Sequence, residues 1–226
     1  MVLDRAKPLS ESSIIPSAIS DFVLVIDVLS GTSVSHRIDL ESRSSISIVA
    51  RVHDNASLSI FIVGDLESDC VIDRAVSVIG DSASVELLSS IRSQGNVRCH
   101  ISDDVNIAAD DSRCVIDNRI VAHGSSRAVV RERVTVRQSV NSGSIATTIR
   151  GMLLGESASI RAIPELDIAT NMVNAKHAVS IARPSASALA YCASRGIDRE
   201  SAMSMIADGL LCPAGSAETT FDVERR

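Results

Sequence analysis

Between Asp21 and about Ile168 the chain alternates apolar and polar residues with a period of two. The apolar phase is held mostly by Val, Ile and Leu. The segments Phe22–Val28, Ser45–Val52, Ser57–Val63, Ala75–Ile79, Ser84–Leu88, Cys114–Val121, Ala128–Val136 and Ile145–Leu154 each carry this pattern, which predicts strands buried on one face. Turn residues punctuate them at Gly64-Asp65, Gly80-Asp81, Gly95-Asn96, Asp103-Asp104, Gly124-Ser125, Asn141-Ser142-Gly143 and Gly155-Glu156. A short motif recurs at turn exits. Gly80-Asp81-Ser82-Ala83-Ser84-Val85 and Gly155-Glu156-Ser157-Ala158-Ser159-Ile160 are near copies, and Asn55-Ala56-Ser57-Leu58 and Gly124-Ser125-Ser126-Arg127-Ala128-Val129 are looser ones. Repeated strand–turn units without intervening helices predict stacked β-coils, each burying its apolar side chains on the next. A β-sandwich fits the same periodicity.

After about residue 183 the period changes. Ser187–Ser194 reads as a helix that Ser185 or Ser187 can N-cap, and Gly196 can stop it in the left-handed conformation. Asp198 then caps a second helix, with Glu200 near its positive end and Ala202, Met203, Ile206 and Leu210 on one face. Stacked coils have open ends, and these helices are the expected cap at one of them. The organisation expected is a polar lead-in at 1–20, a β core at 21–183, a helical segment at 184–211 and a polar tail at 212–226.

Composition narrows the function. Aromatic residues make up 2% and Trp is absent, so the core must be built from aliphatic side chains. The formal net charge is −6, which argues against nucleic acid as a partner. The arginines of Arg127–Arg137 read as a solvated strand face. No apolar run reaches the length of a membrane span, and Met1–Ser10 lacks an apolar signal core, so a cytoplasmic protein without a membrane partner is expected. Five cysteines at 70, 99, 114, 192 and 212, with no C-x-x-C, suit a reducing compartment.

The C-terminal third carries the most specific pattern. Pro164-Glu165-Leu166-Asp167-Ile168 is followed by Val173-Asn174-Ala175-Lys176-His177 and then by Tyr191-Cys192-Ala193-Ser194-Arg195-Gly196-Ile197-Asp198. This array resembles the SufB/SufD family, the core subunits of the Suf iron–sulfur cluster assembly machine. The resemblance covers roughly Val115–Leu211. It implies an irregular right-handed β-helix, a solenoid, with a small C-terminal helical cap, and so chooses between the two β architectures. It also implies a second SufB/SufD-type subunit as partner, in a homodimer or heterodimer, and a SufC-type ABC ATPase docked on the C-terminal helices. A transient iron–sulfur cluster is the implied cofactor, and the chain has no ATP site of its own: it contains no Walker A, G-x-S-x-G or H-E-x-x-H sequence.

His177 matches the family's interface histidine and is the candidate cluster ligand, because a neutral imidazole ligates iron well. A hydrogen-bonded histidine at a dimer seam is the alternative. Arg195, Gly196, Met203 and Ile206 are the candidate ATPase-docking residues. Two departures matter. Where SufB-type chains carry a cysteine this one has Ile149, and where they place an acid after the histidine it has Ala178. On both counts it looks like a short SufD-like form, without the N-terminal helical region of most members. Cys99 and Cys114 are spaced close to one expected coil and are a candidate soft-metal pair; buried structural thiols are the alternative. Asp103-Asp104 and Asp110-Asp111 would suit Ca²⁺ or acid–base chemistry in a polysaccharide-acting β-helix, but read more simply as turns. The expectation is a non-catalytic scaffold subunit. A purely structural subunit that binds no cluster is the alternative, and a polysaccharide enzyme the weaker one.

Overall fold

The computed structural model describes residues 13–15, 21–40 and 45–212. The strands are β1 (Ser13–Ile15), β2 (Asp21–Val28), β3 (Ser33–Leu40), β4 (Ser45–Val52), β5 (Ser57–Leu66), β6 (Cys70–Val78), β7 (Ser84–Ser93), β8 (Arg98–Ile107), β9 (Ser112–Ala122), β10 (Arg127–Val136), β11 (Gly143–Leu153), β12 (Ser159–Ile168) and β13 (Asn174–Ala182). Two helices follow, α1 (Ala186–Ser194) and α2 (Arg199–Leu211). Odd-numbered strands form a seven-stranded sheet and even-numbered ones a six-stranded sheet, and every pairing is parallel. The chain therefore visits the two sheets alternately, winding a parallel β-solenoid of about five turns. Among the described residues, no helix is long and apolar enough to cross a membrane.

Period-two alternation makes the core. Parallel pairing in register places like residues over like, so the inward phase stacks into apolar ladders. One runs Val28, Val52, Val78, Ile107, Val136, and another Leu58, Val85, Cys114, Ile145; all are buried. Fully burying one such side chain stabilises by about 1.5–3 kcal/mol, and β-branched residues suit a pleated, buried surface.

The coil is twice the expected length, because one coil takes in two strands and two turns. It also grows along the chain: the step from Ser33 to its register partner Ser57 is shorter than the step from Arg127 to Ser159. The four motif copies belong to two separate turn stacks. Ser57 lies opposite Ser84, and Arg127 opposite Ser159. In the second stack a Cβ on Gly155 would lie 2.0 Å from the Gly124 carbonyl oxygen, so only glycine fits there.

Three expectations are corrected. Gly64-Asp65 and Asp103-Asp104 are not turns; they lie within β5 and β8. Gly64 is in the strand because a side chain there would meet Leu40 Cβ at 2.8 Å. The stretch read as a lead-in contains β1, which pairs with β3. The helices do not cover the end of the solenoid: α2 lies against β9 and β11, on the outer face of the seven-stranded sheet. The inward phase of β13 is left uncovered, with Val179 and Ile181 exposed. Pro164 fits this picture, since β12 ends its sheet and edge strands tolerate proline.

Candidate functional site

His177 stands in register with Thr147 of β11, which stands in register with Ile116 of β9. Ile116 and Thr147 are buried side chains of the inward phase, so His177 continues an interior ladder. Among the described residues no coil stacks on β13, and the imidazole is exposed at the open end of the solenoid. Ile149, the position where a cysteine would complete a SufB-type ligand set, is fully buried further along the same phase and pairs with Val179. Ala178 points to the other face. Among the described residues no group of three His, Cys, Asp or Glu side chains is placed to hold a metal ion. Among the described residues His177 is thus a lone donor on an open apolar edge.

The interior behind this edge is not wholly apolar. Arg74, Asp103 and Glu132 occupy one ladder of the six-stranded sheet, between Ile48 and Pro164. Arg74 donates from Nε and Nη2 to the two oxygens of Asp103 at 2.6 and 2.9 Å, and from Nη1 to the Leu88 carbonyl at 3.1 Å. Asn118 faces them from β9. Its oxygen accepts from Arg74 at 3.0 Å, and its amide nitrogen donates to Asp103 and to Glu132, each at 2.8 Å. All four side chains are at most 1% exposed. A buried carboxylate or guanidinium persists only when paired and hydrogen-bonded, and the bidentate fork meets that condition for Arg74 and Asp103. Glu132 is less well served. Its Oε2 makes no well-formed hydrogen bond, and neither does the buried Thr147 hydroxyl facing it. Burial, reinforced by the Asp103 charge, pushes its carboxyl up to about 7, against the opposing pull of Asn118, Thr147 and Arg74.

The sequence carried a signal for this network that the turn reading of Asp103 obscured. Arg74, Asp103 and Glu132 recur at equal spacing, one coil apart, each flanked two positions away by apolar residues: Ile72 and Val76, Ile101 and Val105, Val130 and Val134. A charge standing in the apolar phase of a strand is an inward charge. Asn118, between Ile116 and Ile120, obeys the same rule. Asp110-Asp111 does form a turn. Asp110 accepts from the Asn141 backbone and side-chain amides, which hold its carboxyl below the usual range, and Asp111 has φ of 53°.

The expected stacking of Cys99 on Cys114 does not occur. With two strands in every coil, Cys99 pairs in register with Cys70 in the six-stranded sheet, while Cys114 lies in the other sheet between Val85 and Ile145. Cys99 stands near the start of β8, far from the turn that leads into β9, and Cys114 lies just beyond that turn. The offset separates them by on the order of 20 Å along the strands. All three thiols are buried, and burial pushes Cys70 and Cys114 up to about 12 and Cys99 higher still. They are protonated at neutral pH, as inert core thiols are.

The helical segment follows its caps. Ser185 Oγ accepts from the Ala188 N–H at 3.1 Å and opens α1. At its end the Ile197 N–H reaches the Cys192 carbonyl and the Gly196 N–H reaches that of Ala193, a Schellman closure that needs the +78° φ of Gly196. Asp198 opens α2 by accepting from the Ser201 N–H at 2.9 Å, and the Ser201 backbone and hydroxyl bonds hold its carboxyl below the usual range. Arg195 is exposed, with its guanidinium 5.5 Å from the Tyr191 ring centroid. Met203 and Ile206 are half-buried; the positions α2 buries fully are Ala202 and Ala207. Tyr191 and Met205 remain exposed, and Pro184, Leu189, Ala190, Ala193 and Arg199 line a groove beside α1.

The family model for the SUF system FeS cluster assembly, SufBD core domain, matches residues 17–210, which takes in β2 to β13, α1 and all but the last residue of α2. No curated protein matches the sequence.

Proposed function

The chain belongs to the SufB/SufD family, and on that premise we propose that it is a non-catalytic core subunit of a SufBCD-type iron–sulfur cluster assembly complex in the cytoplasm. It pairs through the open end of the solenoid with a second SufB/SufD-type subunit. It docks a SufC-type ABC ATPase through α1 and α2, with Arg195, Gly196, Met203 and Ile206 shaping that surface. The cluster is cargo, held transiently, and His177 is the ligand this chain contributes. The observation that supports the reading best is the uncovered inward ladder of β13. His177, Val179 and Ile181 continue the core phase yet meet no coil, as expected of half an interface that a partner completes.

The lack of a thiolate beside His177, with Ile149 in the core, favours one other reading: a structural subunit that binds no cluster and supports a SufB-like partner. Anaerobic reconstitution with ferrous iron and sulfide separates the two, using the chain co-purified with a SufB-type subunit and a SufC-type ATPase. The first reading expects a thiolate–iron band in the visible spectrum that weakens in His177→Ala while the complex stays assembled. An unchanged band in that variant removes His177 from the cluster and leaves the structural reading. Failure of the chain to assemble with either subunit overturns both.

A further inference from the structure

The C-terminal turn of α2 and the buried network are fastened to opposite faces of the same two strands. On β9, successive residues point to opposite sides of the sheet. Arg119 faces outward and donates from Nη1 to the carbonyls of Leu210, at 3.2 Å, and of Cys212; its Nε and Nη2 hold Asp117. Asn118 faces inward and binds Arg74, Asp103 and Glu132. On β7 the arrangement repeats. Ser90 faces outward and its hydroxyl donates to the Leu211 carbonyl at 2.7 Å, while the Leu88 carbonyl accepts from Arg74. Ser90 and Arg119 are register neighbours, as are Ser89 and Asn118. The last three carbonyls of the helical segment thus rest on β7 and β9, and Arg119 sits where a cation is favoured by the helix dipole.

Asn118 has no slack. An amide offers one carbonyl and two N–H groups, and here the carbonyl takes Arg74 while the nitrogen serves two carboxyls. Reversing it would set its oxygen against both carboxyls and its nitrogen against a guanidinium. A twist of β9 large enough to carry Asn118 out of hydrogen-bond range must therefore break a buried bond or make Glu132 change its partner.

We propose that β9, assisted by β7, couples the helical segment to the interior network, so that a load which shifts the last turn of α2 resets the hydrogen bonding of Asn118. Arg119 and Ser90 are positioning residues in this device. Its use by an ATPase rests on the docking reading above, but the coupling itself belongs to this chain alone, and its test needs no partner. The coupling must also run backward, from network to helix.

The experiment uses the full chain and NMR. Arg119→Gln should speed amide exchange in the last turn of α2 by about tenfold or more, as a released helix end opens locally. In the same variant the Asn118 side-chain amide resonances should shift, and the Glu132 carboxyl midpoint should move by about half a pH unit or more. Conversely, Glu132→Gln should alter exchange in that turn. Faster exchange in α2 with Asn118 and Glu132 unmoved overturns the coupling, and unchanged α2 exchange overturns it equally, because Arg119 would then carry no load. Ser90→Ala, which removes one hydroxyl, gives the same readouts should Arg119→Gln not fold. None of these outcomes bears on whether an ATPase docks, which co-purification decides separately.

Discussion

The middle coils and the last coil are written in the same alternating pattern, yet they end in opposite states. In β9 the inward phase Cys114, Ile116, Asn118 and Ile120 is fully buried. In β13 the corresponding phase, from Ala175 through His177 and Val179 to Ile181, is largely open to solvent. Each strand offers a mainly apolar inward phase with one polar residue in it, Asn118 or His177, so the difference lies in the neighbour. One has a coil stacked on either side, and the other has a coil on one side only. Burial in a solenoid is thus assigned by position in the stack. The contrast extends to charge. The middle coils hold charges dry by pairing them, whereas the last coil holds its polar group, His177, in water.

Removing one partner of the buried network should have the largest effect. Arg74→Ala leaves Asp103 buried without its guanidinium and should cost about 3–5 kcal/mol in urea unfolding. A loss below about 1 kcal/mol would mean that the middle coils admit water as freely as the end.

Next comes the pH dependence set by Glu132. Its carboxyl rises from 4.5 to about 7 on folding, so the folded state holds the proton more tightly than the unfolded chain. Its contribution is complete below about pH 4.5, falls as pH rises, and is gone above about 7. Wild type should be less stable at pH 8 than at pH 5 by on the order of 3 kcal/mol. Glu132→Gln, which keeps an acceptor for Asn118 and has no charge to bury, should flatten that profile. An equal pH dependence in the variant would place the titrating group elsewhere.

The smallest effect is expected at the open end. Val179→Ala should change the stability of the isolated chain by no more than about 0.5 kcal/mol, because the side chain is already wet. A cost approaching the roughly 2–5 kcal/mol of a core truncation would show that the end is covered in solution, by a second copy or another part of the chain. Thermal unfolding at two protein concentrations distinguishes those occupants, since only a second copy makes the midpoint concentration-dependent.

Much of the fold was legible locally. Ser45–Val52 matches β4 at both ends, and the caps at Ser185, Gly196 and Asp198 are where the sequence puts them. These features depend on alternation, hydroxyl acceptors and one positive φ, all properties of a few adjacent residues. The candidate site was legible only in part. His177 lay in a recognisable strand. The network did not stand out, because Asp103-Asp104 matches the composition of a turn, and aspartate chooses a turn or a buried pair according to whether an arginine lies over it. That arginine, Arg74, belongs to the preceding coil and reaches Asp103 only through the register of β6 on β8. The spatial separation of Cys99 and Cys114 has a related cause. The spacing of Cys99 and Cys114 suits a coil of one strand and one turn, and the real coil has two of each.

An aliphatic β protein followed by two capped helices follows from residue order alone, since strand period, turn chemistry and capping act within a few residues; so does the family's C-terminal pattern. Packing in three dimensions chose the rest: the length of the coil, which charges face inward, which thiols stack, and the seat of α2 along the outer face of β9 rather than across the end. Each of those depends on which residues a full coil apart in the chain come into register. Local propensity is silent on that choice, and the packed interior makes it for all the ladders together.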